Sequence, residues 1–386
     1  MTLLLGCEID LGDPELDGGT GGTGDATGDT GADETAGVPS IATCADVDRS
    51  AEGQPLPLEG PEIALSGVYR VAGRMIYDAG QIVTVAPGTV FLMEPDAMLY
   101  FGWRGDPATV YAEGTEQEPI LFCGTAAGPG HWTDLQLLSG TTTDSVLSYV
   151  RIEDAGASQA PALLLTVDAT LDHVTIEGND GPGFRLEGLA DDSDQLVSTG
   201  NGGVSGTVVG QSAISNLPPG NYSGNGEDVL LVEALSNTTT VLHERGVAYR
   251  QLEDRVVFGR ADGVLTSLTV EAGVEYQFCQ DCFMLVGWRS DPAVIDVQGT
   301  AEAPVTFTSS RSMPAAGDWN GLSLLTGTRS DSIIDHARFE YGGKVDGGNL
   351  IIGGGLGTVR NTTLVSSAGW GVLVEGAREP GLVLEG

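Results

Sequence analysis

Five cysteines and a few clustered charged and aromatic residues are the side chains of this sequence best suited to chemistry. Cys279-Gln-Asp-Cys282 has the CxxC spacing shared by redox motifs, half zinc sites and disulfides that span a turn. A redox CxxC normally opens a helix after a strand, whereas this one lies inside the β-rich run 276–286. Zinc would need two further ligands, and neither a second CxxC nor a His pair is present. A structural disulfide is therefore the leading reading, ahead of two thiols and of redox or metal chemistry. Cys44 and Cys123 are the natural second pair, stapling an N-terminal cap to the body, although sequence leaves connectivity open. Asp191-Asp-Ser-Asp194 is a candidate calcium loop through Asp191, Asp192 and Asp194, with a hydrated acidic loop as the plainer alternative. Calcium needs six or more oxygens, which three side chains do not guarantee. Trp103-Arg104 and Trp288-Arg289 offer a ring and a guanidinium to a sugar, or else they anchor a corner.

The tryptophans reveal what must position these groups. Phe101-Gly-Trp-Arg-Gly-Asp-Pro-Ala108 returns as Val286-Gly-Trp-Arg-Ser-Asp-Pro-Ala293, so Trp103 and Trp288 stand 185 residues apart. His131-Trp132-Thr-Asp-Leu135 pairs with Asp318-Trp319-Asn-Gly-Leu322, and Asp144-Ser145 with Asp331-Ser332. The chain is read as two copies of one module. Within a copy, short runs rich in Val, Ile, Leu, Thr and Tyr recur between Gly, Asp, Asn and Pro: 81–85, 89–93, 97–101, 109–112, 119–122, 135–138, 146–152, 163–167 and 171–176. In 146–152 strict alternation sets Val146, Ser148, Val150 and Ile152 on one face, with Leu147, Tyr149 and Arg151 on the other. No sustained helical period appears. Uneven strand spacing and few two-residue turns favour a parallel β-helix over a sandwich or a propeller.

The order hydrophobic-Thr-Val-x-Pro/Ala-Gly, then Gly-Thr…Pro-Ile/Val-x-Phe, then Trp-x-x-Leu, then Asp-Ser-x-Ile/Leu resembles the right-handed parallel β-helix, pectin-lyase-like repeat family of bacterial surface proteins, over about 65–386. The resemblance implies an all-β solenoid and leaves activity open, because this fold hosts lyases, hydrolases, adhesins and spacers. In its lyases, carboxylates hold calcium and a basic residue abstracts a proton. Lys344 is the sole lysine, so the family's base would fall to Arg151 or Arg338, each two residues before a glutamate (Glu153, Glu340). Asp154, Asp172 and His173 would join from neighbouring rungs. The hydrolases' Asn-Thr-Asp and Gly-His-Gly motifs are missing. Repetition of the Arg–Glu pair argues for scaffold, since an active site rarely occurs in both halves. Trp132 and Trp319 are expected inside.

Leu4-Leu-Gly-Cys7 resembles a bacterial lipobox, which implies a truncated signal over 1–7 and lipidation of Cys7. Residues 8–40 lack Lys and Arg and are dominated by Gly, Thr and Asp, the composition of a disordered, self-repelling tether. Residues 41–80 are expected to form a cap and first rung, 81–214 the first module, 215–244 a long corner and connecting rung, and 245–386 the second module. Gly381–Gly386 reads as a final strand with no cap after it. The sequence carries 17 Lys+Arg against 54 Asp+Glu, a net charge of −37. Such a surface repels nucleic acid and anionic lipid and attracts cations, cationic polymers or basic partners. The expectation is a non-catalytic, lipid-anchored protein exposed at the outer membrane, presenting a β-helix face to a polysaccharide or a surface protein. A calcium-assisted polysaccharide lyase and an inert spacer are the alternatives.

Overall fold

Gln81–Val85, Val90–Met93 and Met98–Phe101 show the unit from which the fold is built. Each strand is short because a residue with positive φ stops it: Gly88 (72°), Asp96 (58°) and Gly102 (68°). The next three strands, Ala108–Glu113, Ile120–Gly124 and Asp134–Leu137, lie parallel on the first three and in register. Val83 pairs with Val110, Phe91 with Phe122 and Leu99 with Leu135, so like residues stack along the interior. The result is a parallel β-helix with three faces, here called I, II and III in the order of these strands. The computed structural model describes residues 43–259, 263–344, 347–375 and 382–385, all within the unit Ser40–Gly386. Cys7 and the 8–40 segment lie outside the described residues.

Interior ladders hold the coil together. Tyr69, Phe91 and Phe122 stack at 5.9 and 4.5 Å between centroids. In the second copy Phe278 lies 4.0 Å from Trp319, and Phe307 lies 4.7 Å from Phe339. Each aromatic pair adds roughly 0.5–1.5 kcal/mol beyond the area it buries. A polar ladder runs at the end of face II. Asn179 Nδ2 donates to Asn201 Oδ1 at 2.8 Å, and Asn201 Nδ2 to Asn225 Oδ1 at 2.9 Å.

Residues 146–152 are two strands, not one. Val146–Ser148 lies on face I and Val150–Glu153 on face II, with Tyr149 at φ 48° between them. The left-handed residue reverses the alternation, so Leu147, Val150 and Ile152 all point inward and Val146, Ser148 and Arg151 outward. The single alternating strand expected there is corrected accordingly.

Face III runs from Arg74–Tyr77 through twelve strands to Thr363–Val365 among the described residues, but its occupants change. In the first copy it carries the third strand of each turn, such as Met98–Phe101. In the second it carries Glu275–Phe278 and Val305–Ser309, the repeat counterparts of the face II strands Val90–Met93 and Ile120–Gly124. The second copy is therefore turned by one face about the coil axis. The cause lies between 210 and 247. The six-residue helix Gly210–Ser215, which the sequence pattern did not announce, takes the place of a face I strand. The chain then travels from Glu227–Glu233 to Ala248–Gln251, both on face III, with only Thr239–Leu242 between them. One strand is missing from that turn, and the phase slips. Two new sheets begin there, at Thr239–Leu242 and Arg255–Phe258.

Residues 43–51 lie against the outside of face II. Cys44 is disulfide-bonded to Cys123, with Cα atoms 5.5 Å apart. Val47 and Val90 pack against the buried cluster of Cys44, Leu121 and Cys123, and Arg49 Nη1 reaches Gly124 O and Asp154 Oδ2, each at 2.6 Å. The core end is closed by Leu56 and Ile63, both buried. At the other end, Leu382–Glu385 pairs with Gly357–Arg360.

Candidate binding groove on the first module

Three successive turns place a non-glycine residue with positive φ at the corner between faces I and II: Tyr149 (48°), His173 (52°) and Gln195 (51°). Strand pairing fixes their stacking, with Ser148, Asp172 and Asp194 in register before them and Arg151, Thr175 and Val197 after them. A left-handed conformation costs a non-glycine residue roughly 1–2 kcal/mol. Two of the three corner side chains pack outward on one another. The Tyr149 and His173 rings lie 4.6 Å apart and 13° from parallel. Asp172 orients the pair, its Oδ1 lying 2.6 Å from His173 Nδ1 while Oδ2 accepts from Ser148 Oγ at 2.8 Å. Next along face II, Arg151 donates from Nε to Glu153 at 3.2 Å and from Nη2 to Glu177 at 2.9 Å.

The loop leading into Ile120–Gly124 overhangs this corner and encloses a groove of about 310 Å³. Thr115, Glu116 and Pro119 form one wall, and Tyr149, His173, Arg151, Thr175 and Gln195 face them. A small volume with an aromatic surface and a few convergent polar groups is the usual form of a ligand site. Of its members, Arg151 and His173 are sequence candidates. Tyr149, Gln195 and the Thr115–Glu116 wall were not found, although Ser148-Tyr149, Asp172-His173 and Asp194-Gln195 repeat a polar–corner dipeptide at near-constant spacing.

The other candidates fall elsewhere. Asp154 accepts from Gly124 N, Gly128 N and Arg49 and is buried, so it ties the N-terminal segment to face II. Asp192 accepts from Thr170 Oγ1 at 2.8 Å, and Asp194 Oδ1 from Gln195 N at 2.9 Å. Asp191 and Asp192 border a wider, open hollow of about 740 Å³ on face I, beside the helix Gly210–Ser215. Among the described residues no three His, Cys, Asp or Glu side chains are arranged to hold one metal ion. Asp191, Asp192 and Asp194 thus do not converge on a calcium position, because their loop spreads them from the hollow to the start of a strand.

Trp103 and Trp288 are half-buried at equivalent corners. Tyr100 stacks on Trp103 at 5.5 Å between centroids, and the Arg74 and Arg104 guanidinium carbons lie 5.3 and 5.6 Å from its ring. Arg289 covers Trp288 at 5.9 Å. These intramolecular contacts cover part of each ring, and both tryptophans stay partly exposed. Trp132 and Trp319 are fully buried, each donating Nε1 to a backbone carbonyl, Glu153 O and Glu340 O, at 2.8 Å. Cys279 is disulfide-bonded to Cys282, with Cα atoms 5.2 Å apart. Asp281, between them, pairs with Lys344.

The second copy repeats the corner in part. His336 (φ 45°), Arg338 and Asn361 (φ 50°) replace Tyr149, Arg151 and His173. Arg338 pairs with Glu340. Asp335 accepts from Arg360 Nε and Asn361 Nδ2, both at 2.9 Å. Burial pushes its carboxyl up, but these hydrogen bonds and the Arg360 charge outweigh that and hold it below the ordinary aspartate range. With Asn361 in place of His173 there is no ring stack.

Residues 244–353 match the family model described as a pectate-lyase like beta helix domain. No curated protein and no solved structure matches the chain. The matched span holds most of the second copy, and the parallel coil extends on both sides of it. The chain is thus a parallel β-helix protein that carries, over residues 244–353, a pectate-lyase-like β-helix domain.

Proposed function

We propose that the protein is a non-catalytic binding protein of the bacterial cell surface that holds a saccharide in the first module's groove. The observation that carries this reading is the stacked Tyr149–His173 pair beside Arg151 on the groove wall. A sugar ring offers an apolar C–H face and a rim of hydroxyls. The stacked rings suit the face, and Arg151, Thr175, Gln195 and Glu116 suit the rim. Lipidation at Cys7, with the acidic 8–40 segment as a tether, would hold the coil off an outer membrane; both rest on sequence alone.

Catalysis has less support. Asp154 is committed to the N-terminal segment, Glu153 and Glu177 are committed to Arg151, and the Arg–Glu pair recurs at Arg338–Glu340. One observation favours a lyase as the second reading: His173 is oriented by Asp172 and borders the groove, as a general base would. The test is titration of the full chain with neutral, acidic and amino oligosaccharides, each followed by assay for unsaturated or reducing ends. Saturable binding without new ends is the expected result. Turnover would replace the reading with a lyase, and absence of binding across the panel would leave a structural spacer.

A further inference from the structure

Resting on that reading, we infer that the groove's ligand is a sugar chain bearing free amino groups rather than a uronate polymer. The charges at the site point this way. The one arginine lining the groove, Arg151, is already matched by two carboxylates, Glu153 and Glu177. Glu116 stands on the opposite wall and is exposed, and Asp172 and Asp194 precede the corner residues His173 and Gln195. Glu116 Oε2 accepts only from Gln117 at 3.4 Å and Glu177 Oε2 from Arg151, which leaves each glutamate an oxygen without a hydrogen bond among the described residues.

A polyuronate would set its carboxylates against this excess of acid. An ammonium on the sugar would meet Glu116 while the ring lies on Tyr149 and His173. The whole-chain charge of −37 adds a long-range attraction of the same sign. Arg151, spanned by its two partners, then serves as a hydrogen-bond donor to hydroxyls rather than as an anchor for an anion.

The probes are three hexasaccharides: glucosamine, N-acetylglucosamine and galacturonate. Binding to the full chain is measured by calorimetry at low and at physiological salt. The glucosamine form should bind at least tenfold more tightly than the N-acetylated form, with the difference shrinking in salt, and the galacturonate form should not bind. Glu116→Gln should reduce the preference for amine over acetamide at least fivefold. Glu302→Gln, at the equivalent loop of the second copy, removes the same charge and should leave that preference unchanged. Both glutamates are exposed, so neither variant threatens folding. Equal loss in the two variants, or in neither, would mean diffuse adsorption of a cation to an acidic surface and would overturn the inference. If the N-acetylated form binds as well as the amine, the inference falls while saccharide binding stands. If galacturonate binds best, the charge argument is wrong. If none of the three binds, both the inference and the proposed function fail.

Discussion

Asp134 is a carboxylate 4% exposed on the outer side of face III, and its Oδ1 has no hydrogen-bond partner. Burial raises its pKa to about 6, against a smaller opposing effect from the Gln136 amide, which donates to Oδ2 at 2.6 Å. The sign is unusual for an aspartate. Because the folded pKa lies above the unfolded one, the folded chain holds the extra proton between about pH 4 and 6, and stability falls as pH rises through that window. The loss amounts to about 3 kcal/mol at most. Asp134→Asn should therefore raise the denaturation midpoint at pH 8 and change little at pH 4, as read from urea titrations at both values. An unchanged midpoint at pH 8 would show that the carboxylate is solvated. At this scale the sequence is least informative. Asp134 and Asp154 look alike in the sequence, yet one has an orphaned oxygen and the other accepts three hydrogen bonds. The groups that satisfy Asp154 lie 26, 30 and 105 positions away along the chain.

The corner is the element that recurs, and glycine shows why. A Cβ at Gly102 would meet Thr141 N at 2.1 Å, and one at Gly287 would meet Thr328 N at 2.1 Å. Each glycine also has positive φ, 68° and 75°. Gly105, in the same corner, has φ 83° but nothing within 4 Å of its Cβ position. Gly102→Ala should cost well over about 2 kcal/mol, from the backbone clash added to the left-handed penalty, and Gly105→Ala only about 1 kcal/mol. Thermal melts of the two variants compare them directly, and equal losses would refute the packing argument. Corners were the legible part of the sequence where glycine or Asp-Pro marked them, as in the Trp-Arg repeat. They were hidden where Tyr149, His173 and Gln195 turn the chain, because non-glycine residues rarely adopt that conformation and carry no turn signal. The binding groove sits at one of these hidden corners, so its aromatic pair could not be assembled from alternation alone.

For the whole molecule, duplication was readable and its geometry was not. The repeat in the sequence suggests two equivalent copies presenting the same features along one side. The missing strand between 233 and 248 instead turns the second copy by one face, so Trp103 and Trp288, or Arg151 and Arg338, point to different sides of the coil. A single straight polymer cannot lie across both equivalent corners. Among the described residues, the stacked ring pair at this corner belongs to the first copy, where it meets the Thr115–Glu116 loop and an arginine bridged to two glutamates. The proposed saccharide site is therefore one per chain, at Tyr149. The most direct measurement is equilibrium binding of an oligosaccharide ligand to the wild-type chain, to Tyr149→Ala and to His336→Ala, the equivalent position of the second copy. The prediction is one site per chain, weakened at least tenfold by Tyr149→Ala and unaffected by His336→Ala. Two equal sites, or a Tyr149→Ala variant that binds like the wild type, would contradict it.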